Sequence, residues 1–179
     1  MKFPIKVRVL WLLTILFFGV GAMGSMASDD TPINATSWIN HPKIKEIREL
    51  CNEIEGNIKI KNLVEHKRDL KREETHGITF KAIYLDKLNI ARKYVERSGS
   101  EDSALTFSYY YDPKRVLRFV FIEGGAVNGS QMEHRIYFGA SGERIWEIQK
   151  YQKGPGYSFP TVWLEEDLVF DPLNNFNTK

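Results

Sequence analysis

Residues 105–122 read LTFSYYYDPKRVLRFVFI, and this stretch decides the fold class. Leu105, Phe107, Tyr109 and Tyr111 alternate with Ala104, Thr106, Ser108 and Tyr110. A period of two sends successive side chains to opposite faces of a strand. Asp112-Pro113-Lys114 ends the run, and the fixed φ of Pro113 suits a type I turn. The return stretch, Val116 to Ile122, is apolar apart from Arg118, which predicts a central strand covered on both faces. Phe107 and Phe119 are expected in the core, on the repeated apolar face of this hairpin.

Working outward, weaker copies of the same pattern lie on either side: IYLDKLNIARKYVE from Ile83 and IYFGASGERIWEIQK from Ile136. Each runs from an aromatic or apolar strand through a polar turn to a mixed strand containing Arg. In the first, Ile78, Phe80, Ala82 and Tyr84 alternate. A turn at Asp86-Lys87 leads to Leu88, Ile90, Arg92 and Tyr94, and Ser98 to Ser100 ends the hairpin. Gly124-Gly125 and Asn128-Gly129 mark the next loop. Met132, His134, Ile136 and Phe138 alternate again, and Gly139 to Gly142 turns the chain into Arg144 to Tyr151. The opening tyrosines recur about every 26 to 27 residues, a spacing that suits one hairpin plus a loop. Duplication explains this, and so does any tyrosine-rich meander.

Before the hairpins comes one clear helix. It starts near Pro42, where a missing N–H costs nothing. Ile44, Ile47, Leu50, Cys51 and Ile54 share one face, Lys45, Glu46, Arg48, Glu49, Asn52 and Glu53 fill the other, and Gly56-Asn57 is the expected stop. Cys51 on the apolar side reads as a core thiol. The charged stretch Leu63 to Glu74 contains Val64 and Leu70 and reads either as an exposed strand or as a helical extension. After the hairpins, Lys153-Gly154-Pro155-Gly156 breaks the sheet. Tyr157, Phe159, Trp163, Leu168, Phe170 and Phe176 are then expected to lie back over the domain. The fold class is α+β: an N-terminal helix on a curved antiparallel β-meander of about five to seven strands. A small closed β-barrel is the alternative.

The first 27 residues have the three-part layout of a secretory signal peptide. Lys2, Lys6 and Arg8 precede an uncharged run from Val9 to Ser28, and Ser25 and Ala27 stand at −3 and −1 of a cleavage site. The protein is therefore expected to be exported, periplasmic or extracellular. The alternative is an N-terminal membrane anchor, since roughly 20 such residues can span a bilayer. Residues 28–40 read as a polar linker and 41–179 as a single α+β domain. Cutting after Ala27 takes the 25 basic residues to 22 against 23 acidic ones. A near-neutral domain has no global field for nucleic acid or an acidic membrane. No stable membrane insertion of the mature chain is expected. One cysteine makes no internal disulfide.

Ile47-Arg48 to Ile54, Tyr110-Tyr111-Asp112 and His134-Arg135-Ile136-Tyr137-Phe138 together resemble a group of uncharacterised secreted bacterial proteins. In these, a signal peptide and an IRxxxxxI helix precede hairpins that begin YYxD or RxYF. The resemblance covers roughly Pro42 to Tyr151, with Gly139 standing where the third hairpin's Asp is usual. Its motifs are turn residues and strand aromatics. It implies a helix followed by a hairpin meander, and no activity.

Reaction machinery is sparse. No G-x-S-x-G elbow, phosphate loop, H-E-x-x-H helix or C-x-x-C pair occurs. His41, His66, His76 and His134 show no metal-ligand spacing. His134 between Glu133 and Arg135 reads as a strand histidine flanked by solvent-facing charges or, if exposed, as part of a small polar site. No catalytic residue, metal ligand or cofactor is assigned. Tyrosine and tryptophan combine large apolar area with one polar tip, which suits recognition surfaces. Tyr110, Trp146, Tyr151, Tyr157 and Trp163 are the candidate ligand- or partner-binding residues; core packing is the competing role for each. The expected function is non-enzymatic binding of a protein or envelope component, with a small-ligand carrier or hydrolase on a concave sheet face as the alternative.

Overall fold

Three near-identical turns organise the computed structural model, which describes residues 31–71, 77–154 and 156–178. The expected signal peptide, the start of the linker, Arg72 to His76 and Pro155 lie outside the described residues. In each turn the first N–H donates to the fifth carbonyl and the fourth N–H to the first: Asp86–Ile90, Asp112–Val116 and Gly139–Glu143. The fourth residue takes positive φ each time: Asn89 at 58°, Arg115 at 68° and Gly142 at 89°. This is a type I turn closed by a left-handed residue. Asp86 Oδ1 accepts from the N–H groups of Leu88 and Ile90, and Asp112 Oδ1 from those of Lys114 and Val116. At Gly139 this support is missing, and Ser141 Oγ instead donates to the Glu143 carboxylate at 2.7 Å.

The elements are α1 (Pro42–Lys59), β1 (Val64–Asp69), β2 (Ile78–Leu85), β3 (Ala91–Gly99), β4 (Ser103–Tyr111), β5 (Leu117–Ala126), β6 (Gln131–Phe138), β7 (Arg144–Lys153), α2 (Glu165–Leu168) and α3 (Pro172–Asn177). The seven strands form one antiparallel sheet in sequence order. β1 pairs only with β2 and β7 only with β6, so the sheet is open and the barrel alternative is overturned. Closure needs the first and last strands to pair. β1, VEHKRD, is short and charged, the kind of strand that resists pairing on its free side. It also settles the charged stretch after α1 as strand over Val64–Asp69.

Three boundaries differ from expectation. α1 passes Gly56-Asn57 and ends at Lys59, because Ile58 extends the apolar stripe one turn beyond Ile54; an interior Gly costs only about 1 kcal/mol. Leu88 and Ile90 belong to the turn, and Gly124-Gly125 belongs to β5.

One cross-strand row fixes the helix side of the sheet: Glu65, Tyr84, Lys93, Tyr110, Phe119, Tyr137 and Trp146, one from each strand. Lys93 Nζ lies 5.0 Å from the Tyr110 ring centre, and the Phe119 and Tyr137 rings are 4.7 Å apart. Ile44 and Ile47 pack on this row with Cys51 beside them. The Trp38 ring stacks on Trp146 at 6.4 Å, and Glu55 binds Lys93. From β7 to β3 is four strand spacings, about 19 Å; from Pro42 to Glu55 a helix rises about 20 Å. The helix therefore crosses the strands. Ile33 and Trp38 join this cluster, so part of the stretch read as linker is packed.

The opposite side carries the larger core, with Ile83, Tyr94, Phe107, Tyr109, Val120, Ile122 and Ile136 buried. The C-terminal tail covers it. Phe159 lies on Gly124, where a Cβ would stand 2.8 Å from the ring. Trp163 meets Phe107 edge-on at 5.1 Å, and Phe170 meets Tyr109 at 4.9 Å. Buried Lys81 donates to the carbonyls of Asn175 and Thr178 at 2.7 and 3.3 Å. Phe107 and Phe119 therefore pack on opposite faces: Phe107 pairs with Ile122 and Phe119 with Tyr110. Both faces of β5 are covered, as its apolar sequence predicts.

Candidate functional site

Each side of the sheet offers polar side chains, and their partners define what they do. On the helix side, the register shift after each turn leaves Arg92, Arg118 and Ile145 unpaired in the ladder. Arg92 and Arg118 reach across to the next hairpin, where their Nε groups donate to the carbonyls of Tyr111 and Phe138, each at 3.3 Å. β7 has no next hairpin, and its bulge residue is Ile145. Arg118 also meets Glu46 of α1 at 3.1 Å and Asp112 at 3.7 Å. Glu55 accepts from Lys93 at 2.5 Å and from Tyr110 at 2.7 Å. Burial opposes the Glu55 charge, but the Lys93 and Tyr110 hydrogen bonds prevail and hold its carboxyl below the usual value. A groove of about 510 Å³ beside α1 is lined by three of these groups, Glu46, Asp112 and Arg118, together with Glu49, Glu53 and Lys114. They tie helix to sheet.

On the tail side, His134 is 1% exposed, with Nδ1 unpartnered and Nε2 3.7 Å from Glu147. Glu133 and Arg135 point to the other face, where they pair with each other. His134 is thus a strand histidine flanked by charges that face the other side, and alternation buries its own ring. Arg144 bonds Glu147 at 3.1 Å and donates to the Trp163 carbonyl at 2.8 Å. This cluster pins the tail.

The opposite end of the sheet from the three turns is different. Two clefts flank the β3–β4 connection and share Ser100, Ser103 and Ala104. One, of about 420 Å³, adds Glu101, Asp102 and the β5–β6 loop, including Gly129 and Ser130. The other, of about 280 Å³, is walled by Tyr157, Phe159 and Pro160 over a floor of Gly77, Ser98 and Gly99. A chain of hydroxyls runs between them. Ser100 Oγ donates to Asp102 Oδ1 at 2.5 Å, Ser100 and Ser103 Oγ are 3.0 Å apart, and Ser103 Oγ is 2.7 Å from Tyr157 Oη. Among the described residues no Lys or Arg lines either cleft. We take this loop end as the candidate site.

The five aromatic candidates do not converge. Tyr110 and Trp146 stand in the row beneath α1, with Tyr110 buried. Tyr151, Tyr157 and Trp163 belong to the tail side. Trp163 packs on Phe107, and Tyr151 Oη accepts the Phe159 N–H at 3.1 Å. Of the five, Tyr157 lines a cleft at the site. Ser100, Asp102 and Ser103 carried no sequence signal beyond a loop composition, because a hydroxyl chain depends on a turn that folds back on itself.

Among the described residues no group of three His, Cys, Asp or Glu is arranged to hold a metal, and no helix is long and apolar enough to cross a membrane. No protein-family model, curated protein or solved structure matches the chain.

Proposed function

We propose that the chain is an exported, non-enzymatic binding module that engages an envelope component through the loop end of its sheet. The observation that carries this reading is the pair of clefts flanking Ser100 to Ala104, where a chain of hydroxyls from Ser100 to Tyr157 stands at the surface. The sheet faces support it by contrast: rings of the tail fill one, and α1 covers the aromatic row of the other. A carrier or hydrolase working on the covered part of either face would have to displace one of these layers. The reading of Met1 to Ala27 as a signal peptide supports export.

Ala104 is exposed and borders both clefts, so Ala104→Trp sets a bulky ring at their shared edge without touching the core. Protein recovered outside the cytoplasm is expected to begin at Ser28. Immobilised, it is expected to retain material from solubilised envelope that Ala104→Trp does not. Equal retention by the variant, with circular dichroism unchanged, would place the binding surface elsewhere.

A further inference from the structure

The cleft beneath Tyr157 has a chemical polarity that selects its ligand. Asp102, when ionised, can only accept hydrogen bonds. It therefore takes the Ser100 hydroxyl proton, and the Ser103 N–H also points at Ser100 Oγ at 3.2 Å. Ser103 then donates to Ser100, and Tyr157 donates to Ser103. One carboxylate orients the whole chain, and bonds in such a chain strengthen one another. Tyr157 Oη is left at its end with acceptor capacity for an incoming O–H or N–H. Around it lie an apolar wall, Phe159 and Pro160, and a floor of Gly77 and Gly99 that presents backbone to a flat ligand.

We propose that this cleft binds one ring of a neutral saccharide, with the ring's C–H face against the Tyr157–Pro160 wall and a sugar hydroxyl donating to Tyr157 Oη. The proposal rests on the envelope-binding reading above and names its ligand class. Three features select a sugar. Its volume, about 280 Å³, lies at the small end of ligand sites. Among the described residues an anion finds no cation in the lining, and Glu101 and Asp102 lie on the far side of the same loop. An extended peptide would need a free sheet edge to join, and β3 and β4 are each paired on both sides.

The test is titration of the ¹⁵N-labelled mature chain with glucose-, galactose- and N-acetylglucosamine-based trisaccharides, beside triglycine and sulfate. At least one trisaccharide is expected to shift the amides of Gly99, Ser103, Ala104 and Tyr157 saturably at millimolar concentration, with sulfate silent. Tyr157→Phe keeps the ring and removes the acceptor; it is expected to weaken binding about tenfold, the worth of one hydrogen bond. Ser103→Ala breaks the chain at its middle and is expected to weaken it likewise. Silence from every trisaccharide, or triglycine shifting these amides in their place, overturns the sugar proposal. If Ala104→Trp still abolishes envelope retention in that case, the binding reading stands and only its ligand class falls. If retention is also unaffected, both fall.

Discussion

At His134 a single buried ring makes the fold sensitive to pH. Burial is the main cause that lowers its proton affinity, with Arg144 adding to it and Glu147 opposing. The unfolded chain takes up a proton near the ordinary value of 6.5 while the folded chain resists. Stability therefore falls as pH drops below about 6.5, and this fall ends once the pH passes the folded value. His134→Gln keeps a polar side chain of similar reach without the titration. Urea unfolding at about pH 7.5 and about pH 5 is expected to show a smaller loss of stability in the variant than in the parent. Equal losses would mean that His134 is not the titrating group. Glu55 acts in a lower window: its carboxyl is held below 4.5, so its contribution is present above that value and is lost as the pH falls further. Cys51 is different again, because burial first and Glu55 second push its thiol up to about 12, leaving it protonated and unreactive. Its place on the apolar face was legible from the helical spacing of Ile44, Ile47, Cys51 and Ile54, although Cys51 is half-buried where a core thiol was expected. The burial of His134 was not, since it depends on a tail that crosses the strand from far along the chain.

Phe107 and Phe119 illustrate what the bulges do to a pattern read along the chain. Strict alternation carried through the Asp112 turn puts both rings on one face. The extra residue at Arg118 shifts the count by one, and a one-residue shift sends every following side chain to the other face. The hairpins, the helix and the burial of Phe107 were legible, whereas the register after each turn, and with it the half-burial of Phe119, was not. No local pattern announces a bulge, although the recurrence of Arg at 92 and 118 is its trace in the sequence. The two faces make a sharp energetic expectation. Phe107 is 7% exposed beneath Trp163, and Phe107→Ala is expected to cost about 3–5 kcal/mol. Phe119, half-buried between Tyr110 and Tyr137, is expected to cost less. Because the rings have no shared partners, the double variant is expected to lose the sum of the two within about 0.5 kcal/mol. Coupling beyond about 1 kcal/mol in denaturant unfolding would place the rings in one cluster and overturn the register.

The whole molecule is a sheet with a different cover on each side, and the covers come from opposite ends of the described chain. The sequence distinguishes them unequally. α1 has helical periodicity and could be seen in advance. The tail has only aromatics without period, so its presence over the body was readable but its path was not. That path depends on particular sites: Gly124, which leaves room for Phe159; Phe107, which takes Trp163; and Lys81, which holds the carbonyls of α3. Removing the tail exposes Tyr94, Phe107, Tyr109, Val120 and Ile122 together. That is a contiguous apolar face of the kind soluble monomers rarely present. It also leaves Lys81 without the carbonyls that satisfy it. A chain truncated after Lys153 keeps every strand and α1, so an independent sheet-and-helix core would survive the cut. The expectation is the reverse: the truncated chain self-associates, binds a hydrophobic dye and unfolds with a lower denaturant slope, the mark of lost cooperative burial. Gly124→Ala probes the same layer gently. It pushes on Phe159 and, less closely, on Leu105, and because α3 stays latched at Lys81 the variant is expected to remain folded and monomeric with reduced stability. A truncated chain that is monomeric, with the parent's unfolding slope, would show that the tail is a passenger on a self-sufficient sheet.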